Sequence, residues 1–127
     1  LALADLEPLL TDSWRLQLSA DAQTRIKKCR AYLDRKIRES SVPLYGINTG
    51  FGSLYNKHIP ADQLEKLQDN LVKSHACGTG PEVPREIVRI MLFLKIQSLA
   101  YGYSGVQLST VERLIDFFNA RLAPCIY

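Results

Sequence analysis

The sequence predicts an all-α chain with one conspicuous loop. Four stretches place apolar residues at three- and four-residue steps, which is the spacing of a helix with one buried face. Residues that start or break helices stand at the ends of these stretches. The composition, 46% hydrophobic and 23% charged over 127 residues, is typical of one soluble globular domain.

The first helix is predicted to begin after Ser19, a favourable N-cap. It should stop near Ser40, because Pro43 disfavours helical geometry at the residue before it. Its apolar stripe consists of Ala22, Ile26, Cys29, Leu33 and Ile37. Seven Lys or Arg residues lie between Arg25 and Arg38 on the other faces. A basic helical binding module is therefore one hypothesis, although the net charge of +3 is too small to indicate a nucleic-acid partner.

Two further helices are predicted downstream of the loop. The second begins near Pro60 and ends before the breakers at residues 78–81. One of its faces carries Leu64, Leu67, Leu71 and His75. The third begins around Pro84 and is apolar on most faces, which is typical of a helix buried all round. Such a helix is hard to cover in a chain this short, so we expect partner helices from elsewhere in the protein or from another subunit.

A fourth helix is predicted from a capping box, Ser109-x-x-Glu112, to a stop at Pro124. Its apolar face consists of Val111, Leu114, Ile115, Phe118 and Leu122. The segment after Pro124 is predicted to open an extended stretch.

The cysteine and histidine pattern predicts no metal site. Cys29, Cys77 and Cys125 lie far apart, and the only histidines are His58 and His75. Zinc sites need several such ligands at short spacing, and an odd cysteine count argues against a disulfide framework. We interpret each cysteine as a small buried thiol in a reducing cytoplasm. No apolar run approaches the ~18–20 residues of a membrane span.

The loop between the first two helices is rich in glycine, with Gly46, Gly50 and Gly52 within seven residues. Glycine allows positive φ angles and close approach of the backbone to a ligand. The spacing matches neither a Walker loop nor a dinucleotide fingerprint. Two interpretations stay open from the residues alone: a structural loop around a buried tyrosine, or a binding loop that presents Tyr45 and Asn48.

Three blocks of sequence resemble signatures of one known family. They are YGINTGFG at residues 45–52, NLVKSHACGTG at residues 70–80 and LAYGYSGV at residues 99–106. Together they resemble the aromatic amino acid ammonia-lyases, which comprise histidine, phenylalanine and tyrosine ammonia-lyases. The resemblance implies the aspartase/fumarase-like helical fold with its tyrosine loop, and elimination of ammonia from an α-amino acid.

The family's electrophile is a methylidene-imidazolone group formed from an Ala-Ser-Gly triplet. This sequence has Tyr103-Ser104-Gly105 but no such triplet. The resemblance therefore implies that residues 1–127 are the N-terminal helical domain of a longer cytoplasmic, homotetrameric lyase, ending before the triplet. On that basis we expect this chain alone to be inactive.

The resemblance also assigns roles within the loop. Tyr45 aligns with the catalytic loop tyrosine, and base, acid and positioning roles all stay open. Gly46, Gly50 and Gly52 are expected to act as loop hinges, with a rigid turn as the alternative. Asn48 is a candidate for substrate binding, although hydrogen bonding within the loop explains it equally well.

Ser74 and His75 are the predicted substrate-selectivity pair. Spacing alone favours a buried His75, in phase with the leucines of the second helix. In the family, however, His-Leu at these positions goes with tyrosine, Phe-Leu with phenylalanine and Ser-His with histidine. The resemblance therefore implies that L-histidine is converted to trans-urocanate, the first step of histidine breakdown. The alternatives are a tyrosine or phenylalanine ammonia-lyase or 2,3-aminomutase of the same family.

Overall fold

The computed structural model describes residues 2–11, 14–39 and 42–127, without the side chains at positions 3, 10, 11 and 61. The α-helices over these residues are α1 (Ala20–Glu39), α2 (Leu64–His75), α3 (Arg85–Ala100) and α4 (Leu108–Asn119). Short 3-10 helices cover Leu3–Thr11, Gly52–Leu54 and Ala61–Gln63. Within these ranges, β-structure is limited to one antiparallel bridge between Thr49 and His58. The predicted all-α class is confirmed.

The chain forms two compact units. One comprises Leu1–Ile37 together with Gly80–Tyr127, and the other comprises Arg38–Thr79. The first unit contains a hydrophobic core made by α1, α3, α4 and the N-terminal 3-10 helix. Its buried members are Leu9, Ile26, Ile96, Leu99, Val111, Ile115 and Phe118.

Helix α1 begins as predicted. The hydroxyl of Ser19 accepts a hydrogen bond of 3.2 Å from the backbone N–H of Ala22, which confirms Ser19 as the N-cap. Ala22 and Ile26 are buried, and the rest of the predicted stripe is half-buried. The predicted stop near Ser40 lies outside the described residues. The basic face is partly neutralised, because Arg25 pairs with Asp21 and Arg30 pairs with Asp34 at 2.7 Å.

Helix α3 begins directly after Pro84, close to its predicted start. Val88, Ile96 and Leu99 are buried against the core. One face of the helix is open to solvent within this chain, as expected for an apolar helix that this chain is too short to cover, and its covering by partner helices stays a prediction. Ile87, Met91 and Leu94 lie on that face, 40–48% exposed. Their spacing of four and three residues places them side by side on the helix surface.

The predicted capping box of α4 is wrong. The helix begins at Leu108, and its N-cap is Gln107, whose side chain makes no capping hydrogen bond. Ser109 is therefore already inside the first turn, where a capping side chain cannot act. Leu108 packs against the core, and this contact explains why the chain turns into helix earlier than the capping signal indicates.

Helix α4 ends at Asn119, ahead of the predicted stop at Pro124. The turn that ends it places Arg121 at a φ of 58°, in the left-handed region that favours glycine. The N–H of Leu122 donates to the carbonyl of Phe117 at 2.9 Å, as in a Schellman motif. Leu122 consequently lies outside α4 and is exposed, contrary to its predicted place on the apolar face. Further along, the carbonyl of Ile126 accepts a 2.7 Å hydrogen bond from Val83.

The cysteines differ from the prediction of buried thiols. Cys29 is half-buried, whereas Cys77 and Cys125 are exposed, and all three are free. In the described ranges, no group of three or more His, Cys, Asp or Glu side chains is placed to hold a metal ion. No helix there has the length and apolar character needed to cross a membrane.

Candidate functional site: the tyrosine loop and the end of α2

The glycine-rich loop opens with a tight turn that carries Tyr45. The N–H groups of Ile47 and Asn48 both donate to the carbonyl of Leu44, at 3.0 and 3.2 Å. Gly46 makes this turn possible, because its φ of 75° is costly for any residue with a Cβ. The side chain of Tyr45 is 66% exposed. The interpretation of Tyr45 as a buried core tyrosine is therefore wrong for this chain.

A short backbone clamp closes the loop. The N–H of Gly50 donates to the carbonyl of Lys57 at 3.0 Å, and the N–H of Ile59 donates to the carbonyl of Asn48 at 2.9 Å. Thr49, between the two clamping positions, is 1% exposed. The clamp holds residues 48–50 and 57–59 together, so the segment between them forms a closed loop with fixed ends.

Asn48 has a clear structural role in the loop. It is 8% exposed, and its side-chain oxygen accepts a 2.7 Å hydrogen bond from the N–H of Leu44. This bond runs back four residues along the chain and closes the turn that carries Tyr45. Contact of Asn48 with substrate stays a prediction.

The three loop glycines meet different requirements. Gly46 and Gly52 have positive φ angles, of 75° and 56°. Gly50 instead permits close packing, because a Cβ there would lie 2.7 Å from both the carbonyl oxygen and the Cβ of Leu54. These contacts explain the glycines as parts of a defined turn, and their action as hinges stays a prediction.

Tyr45 has an aromatic neighbour that the sequence analysis did not single out. The ring of Phe51 lies edge-on to Tyr45, with ring centroids 6.3 Å apart and planes at 70°. Aromatic pairs favour this arrangement because the positive ring edge faces the negative ring face. The only sequence signal for this role was the position of Phe51 within the block at residues 45–52.

The second group of predicted site residues lies at the C-terminal end of α2. This helix begins at Leu64, after a 3-10 turn, slightly later than the predicted start near Pro60. Ser74 and His75 are both exposed in its last turn, so the interpretation of His75 as a buried histidine is wrong for this chain. The carbonyl of Leu71 is within hydrogen-bonding distance of the Ser74 hydroxyl, at 2.8 Å, and of His75 Nδ1, at 2.9 Å.

The two groups of site residues lie in the same compact unit. Over residues 42–79, no hydrogen bond or ring contact joins Tyr45 to Ser74 or His75. Both groups belong to the unit that comprises Arg38–Thr79. This unit thus presents an exposed phenol on a glycine-rich loop and an exposed imidazole at a helix end.

The chain belongs to the aromatic amino acid lyase family, whose sequence pattern it matches over residues 1–127. Among curated relatives, the histidine ammonia-lyase of Caldanaerobacter subterraneus subsp. tengcongensis is 40% identical over 126 residues, which cover 99% of this chain and 25% of that enzyme. The chain spans about a quarter of the length of this relative.

Solved structures give the same fold. The histidine ammonia-lyase of Trypanosoma cruzi matches 91% of this chain and 23% of its own, at 36% identity and a TM-score of 0.76. The phenylalanine aminomutase of Pantoea agglomerans matches 98% of this chain and 24% of its own, at 26% identity and a TM-score of 0.91. The all-α fold implied by the family resemblance is therefore confirmed.

Proposed function

We propose that the complete gene product containing this chain eliminates ammonia from L-histidine to give trans-urocanate, in the first step of histidine breakdown. The protein would act in the cytoplasm as a homotetramer. Its substrate would be a small amino acid, and it would bind neither nucleic acid nor membrane. The observation that carries the proposal is the exposed imidazole of His75 beside Ser74, on a chain similar to histidine ammonia-lyases.

The chemical basis of the substrate proposal is hydrogen bonding between two imidazoles. A histidine side chain can donate to or accept from another imidazole, whereas leucine or phenylalanine at the same position can do neither. A substrate imidazole buried without a partner would lose about 1–3 kcal/mol of binding free energy. An exposed imidazole at position 75 therefore favours histidine over phenylalanine as the substrate.

Tyr45 is proposed as the catalytic residue that this chain contributes. Its hydroxyl is on an exposed ring, so it can reach a substrate without a rearrangement of the core. The phenol would transfer a proton or hold the substrate in a reactive orientation. The glycine-rich turn beneath it would let the loop close over substrate and open again for product.

The methylidene-imidazolone electrophile does not fit any segment of this chain. Its precursor is Ala-Ser-Gly, and the only Ser-Gly pair here, Ser104-Gly105, follows Tyr103. Ser104 also lies in a tight turn, where its hydroxyl accepts a 3.3 Å hydrogen bond from the N–H of Val106. We therefore propose that residues outside this chain form the electrophile. That group would accept electrons during the elimination.

A panel of three amino acids tests the proposal. The complete gene product is assayed for ammonia and for the unsaturated acid with histidine, phenylalanine and tyrosine as substrates. We expect kcat/KM to be highest for histidine, with urocanate as product. Conversion of phenylalanine or tyrosine in preference to histidine would replace the proposal with a lyase of those substrates. Formation of a β-amino acid would indicate an aminomutase, the second candidate supported by the similarity to the Pantoea enzyme.

A further inference from the structure

Three polar atoms meet at the end of α2. The hydroxyl of Ser74 donates to the carbonyl oxygen of Leu71 at 2.8 Å. The Nδ1 atom of His75 lies 2.9 Å from the same carbonyl oxygen and 3.0 Å from the Ser74 hydroxyl oxygen. Each atom is thus within hydrogen-bonding distance of the other two.

The distance between Nδ1 of His75 and the Leu71 carbonyl oxygen indicates a hydrogen on Nδ1. A carbonyl oxygen can only accept, so Nδ1 must carry a hydrogen to bond with Leu71. A bare Nδ1 would instead direct its lone pair at the lone pairs of that oxygen, which is repulsive. The Ser74 oxygen has lone pairs left to share the Nδ1 hydrogen, because its own hydrogen points at Leu71. A neutral His75 in this arrangement has no hydrogen on Nε2, which becomes an acceptor.

We propose that Ser74 is a positioning residue that, with the Leu71 carbonyl, fixes the tautomer of His75. The Nδ1–H form presents Nε2 as a hydrogen-bond acceptor to the substrate ring. This inference rests on the proposed function and deepens it, because it assigns Ser74 to the orientation of His75 and gives His75 a defined bonding role.

The fixed tautomer predicts which rings are accepted. The imidazole of histidine carries an N–H, in its neutral and its protonated form, and can donate to Nε2. The phenyl ring of phenylalanine has no such donor, so the Nε2 lone pair would be desolvated without a partner. Without the Ser74 hydroxyl, the imidazole of His75 keeps only one of its two acceptors and its orientation is less strictly defined.

The tautomer is measured directly on the complete gene product labelled with ¹⁵N at histidine, by magic-angle-spinning NMR of the sedimented protein. The ring signals of His75 are those that disappear in the His75→Gln variant. We expect Nδ1 to be protonated and Nε2 to have the chemical shift of a bare nitrogen. A protonated Nε2 with a bare Nδ1 in the wild-type protein would overturn the proposal.

Kinetics then test the role of Ser74. For Ser74→Ala we expect KM for histidine to rise about three- to tenfold, corresponding to the loss of one hydrogen bond, with kcat little changed. Ser74→Thr keeps the hydroxyl and should restore KM. An unchanged KM in Ser74→Ala, or no restoration by threonine, would overturn the positioning role.

The two proposals fail separately. The NMR measurement does not depend on turnover, so it reports the tautomer even if histidine is not a substrate. Absence of histidine turnover by the wild-type protein would refute the proposed function alone. A wrong tautomer in a protein that does convert histidine would refute only the positioning role. Thermal unfolding of Ser74→Ala separates a folding defect from a binding defect, and the wild-type spectrum decides the tautomer in either case.

Discussion

The ring of Phe51 lies edge-on to the ring of Tyr45, with centroids 6.3 Å apart and planes at 70°. The Tyr45 side chain is two-thirds exposed, and this contact holds one side of its ring. The two residues are joined by the turn at Gly46 and by the clamp at Gly50, so the loop backbone and the aromatic contact orient the same side chain.

Replacement of Phe51 by leucine should therefore lower activity without unfolding the protein. An edge-on aromatic pair contributes about 0.5–1.5 kcal/mol beyond burial, so we expect kcat of Phe51→Leu to fall about two- to tenfold. Phe51→Tyr keeps the ring and serves as the matched control. Equal kcat values in the wild-type and leucine proteins would show that Phe51 does not orient Tyr45.

Exchange of the selectivity pair should change substrate preference. In the Ser74→Phe/His75→Leu variant we expect kcat/KM for histidine to fall about 5- to 150-fold more than that for phenylalanine, because an imidazole substrate loses its partner. Steady-state rates with both substrates measure the difference. His58→Leu, which removes the chain's other histidine, is the control. Equal losses for histidine and phenylalanine would contradict the assignment of specificity to this pair.

The turn that ends α4 should be stabilised by glycine. Arg121 adopts a φ of 58°, which crowds its Cβ against the backbone. Alanine at this position keeps the Cβ and removes the rest of the side chain, so Arg121→Ala is the matched reference. We expect Arg121→Gly to be about 1 kcal/mol more stable than Arg121→Ala in urea unfolding. A difference of zero would mean that the left-handed conformation carries no cost here.

The thiol of Cys125 should react slowly with alkylating agents. Hydrogen bonding with the carboxylate of Glu82 and the negative charge of that group raise the pKa of Cys125 above its ordinary value. A raised pKa leaves less thiolate at mildly alkaline pH, and only the thiolate is the nucleophile.

Alkylation by iodoacetamide, followed by peptide mass spectrometry, measures this effect. Glu82→Gln should speed the alkylation of Cys125 and shift its pH profile to lower pH. Cys77, which is also exposed, provides the internal reference within each sample. The same Cys125 rate with glutamate and glutamine would exclude Glu82 as the cause.

Local signals in the sequence predicted local structure well. Ser19 was identified as an N-cap from its residue type and position, and its capping bond involves only a neighbouring turn. The glycine density of the loop predicted the positive φ that Gly46 adopts. The exposed side chain of Tyr45 fits the interpretation of the segment as a binding loop.

Tertiary contacts decided what the sequence left uncertain. The capping signal at Ser109 was overridden by the packing of Leu108 against the core, which is not visible in a local pattern. The early end of α4 was missed because arginine stands at the left-handed position, where glycine would have been the signal. The contacts of the Ser74 and His75 side chains with the carbonyl of Leu71 depend on side-chain rotamers, which spacing alone does not determine.

The most direct test of the proposed role of the tyrosine loop is the turnover of histidine by the Tyr45→Phe variant of the complete gene product. Loss of a proton-transferring phenol should lower kcat by about 10²–10⁴-fold, while the melting temperature stays close to that of the wild-type protein. Tyr55→Phe removes the hydroxyl of a similarly exposed tyrosine in the same loop and should keep full activity. A Tyr45→Phe enzyme as fast as the wild type would contradict a catalytic role for Tyr45.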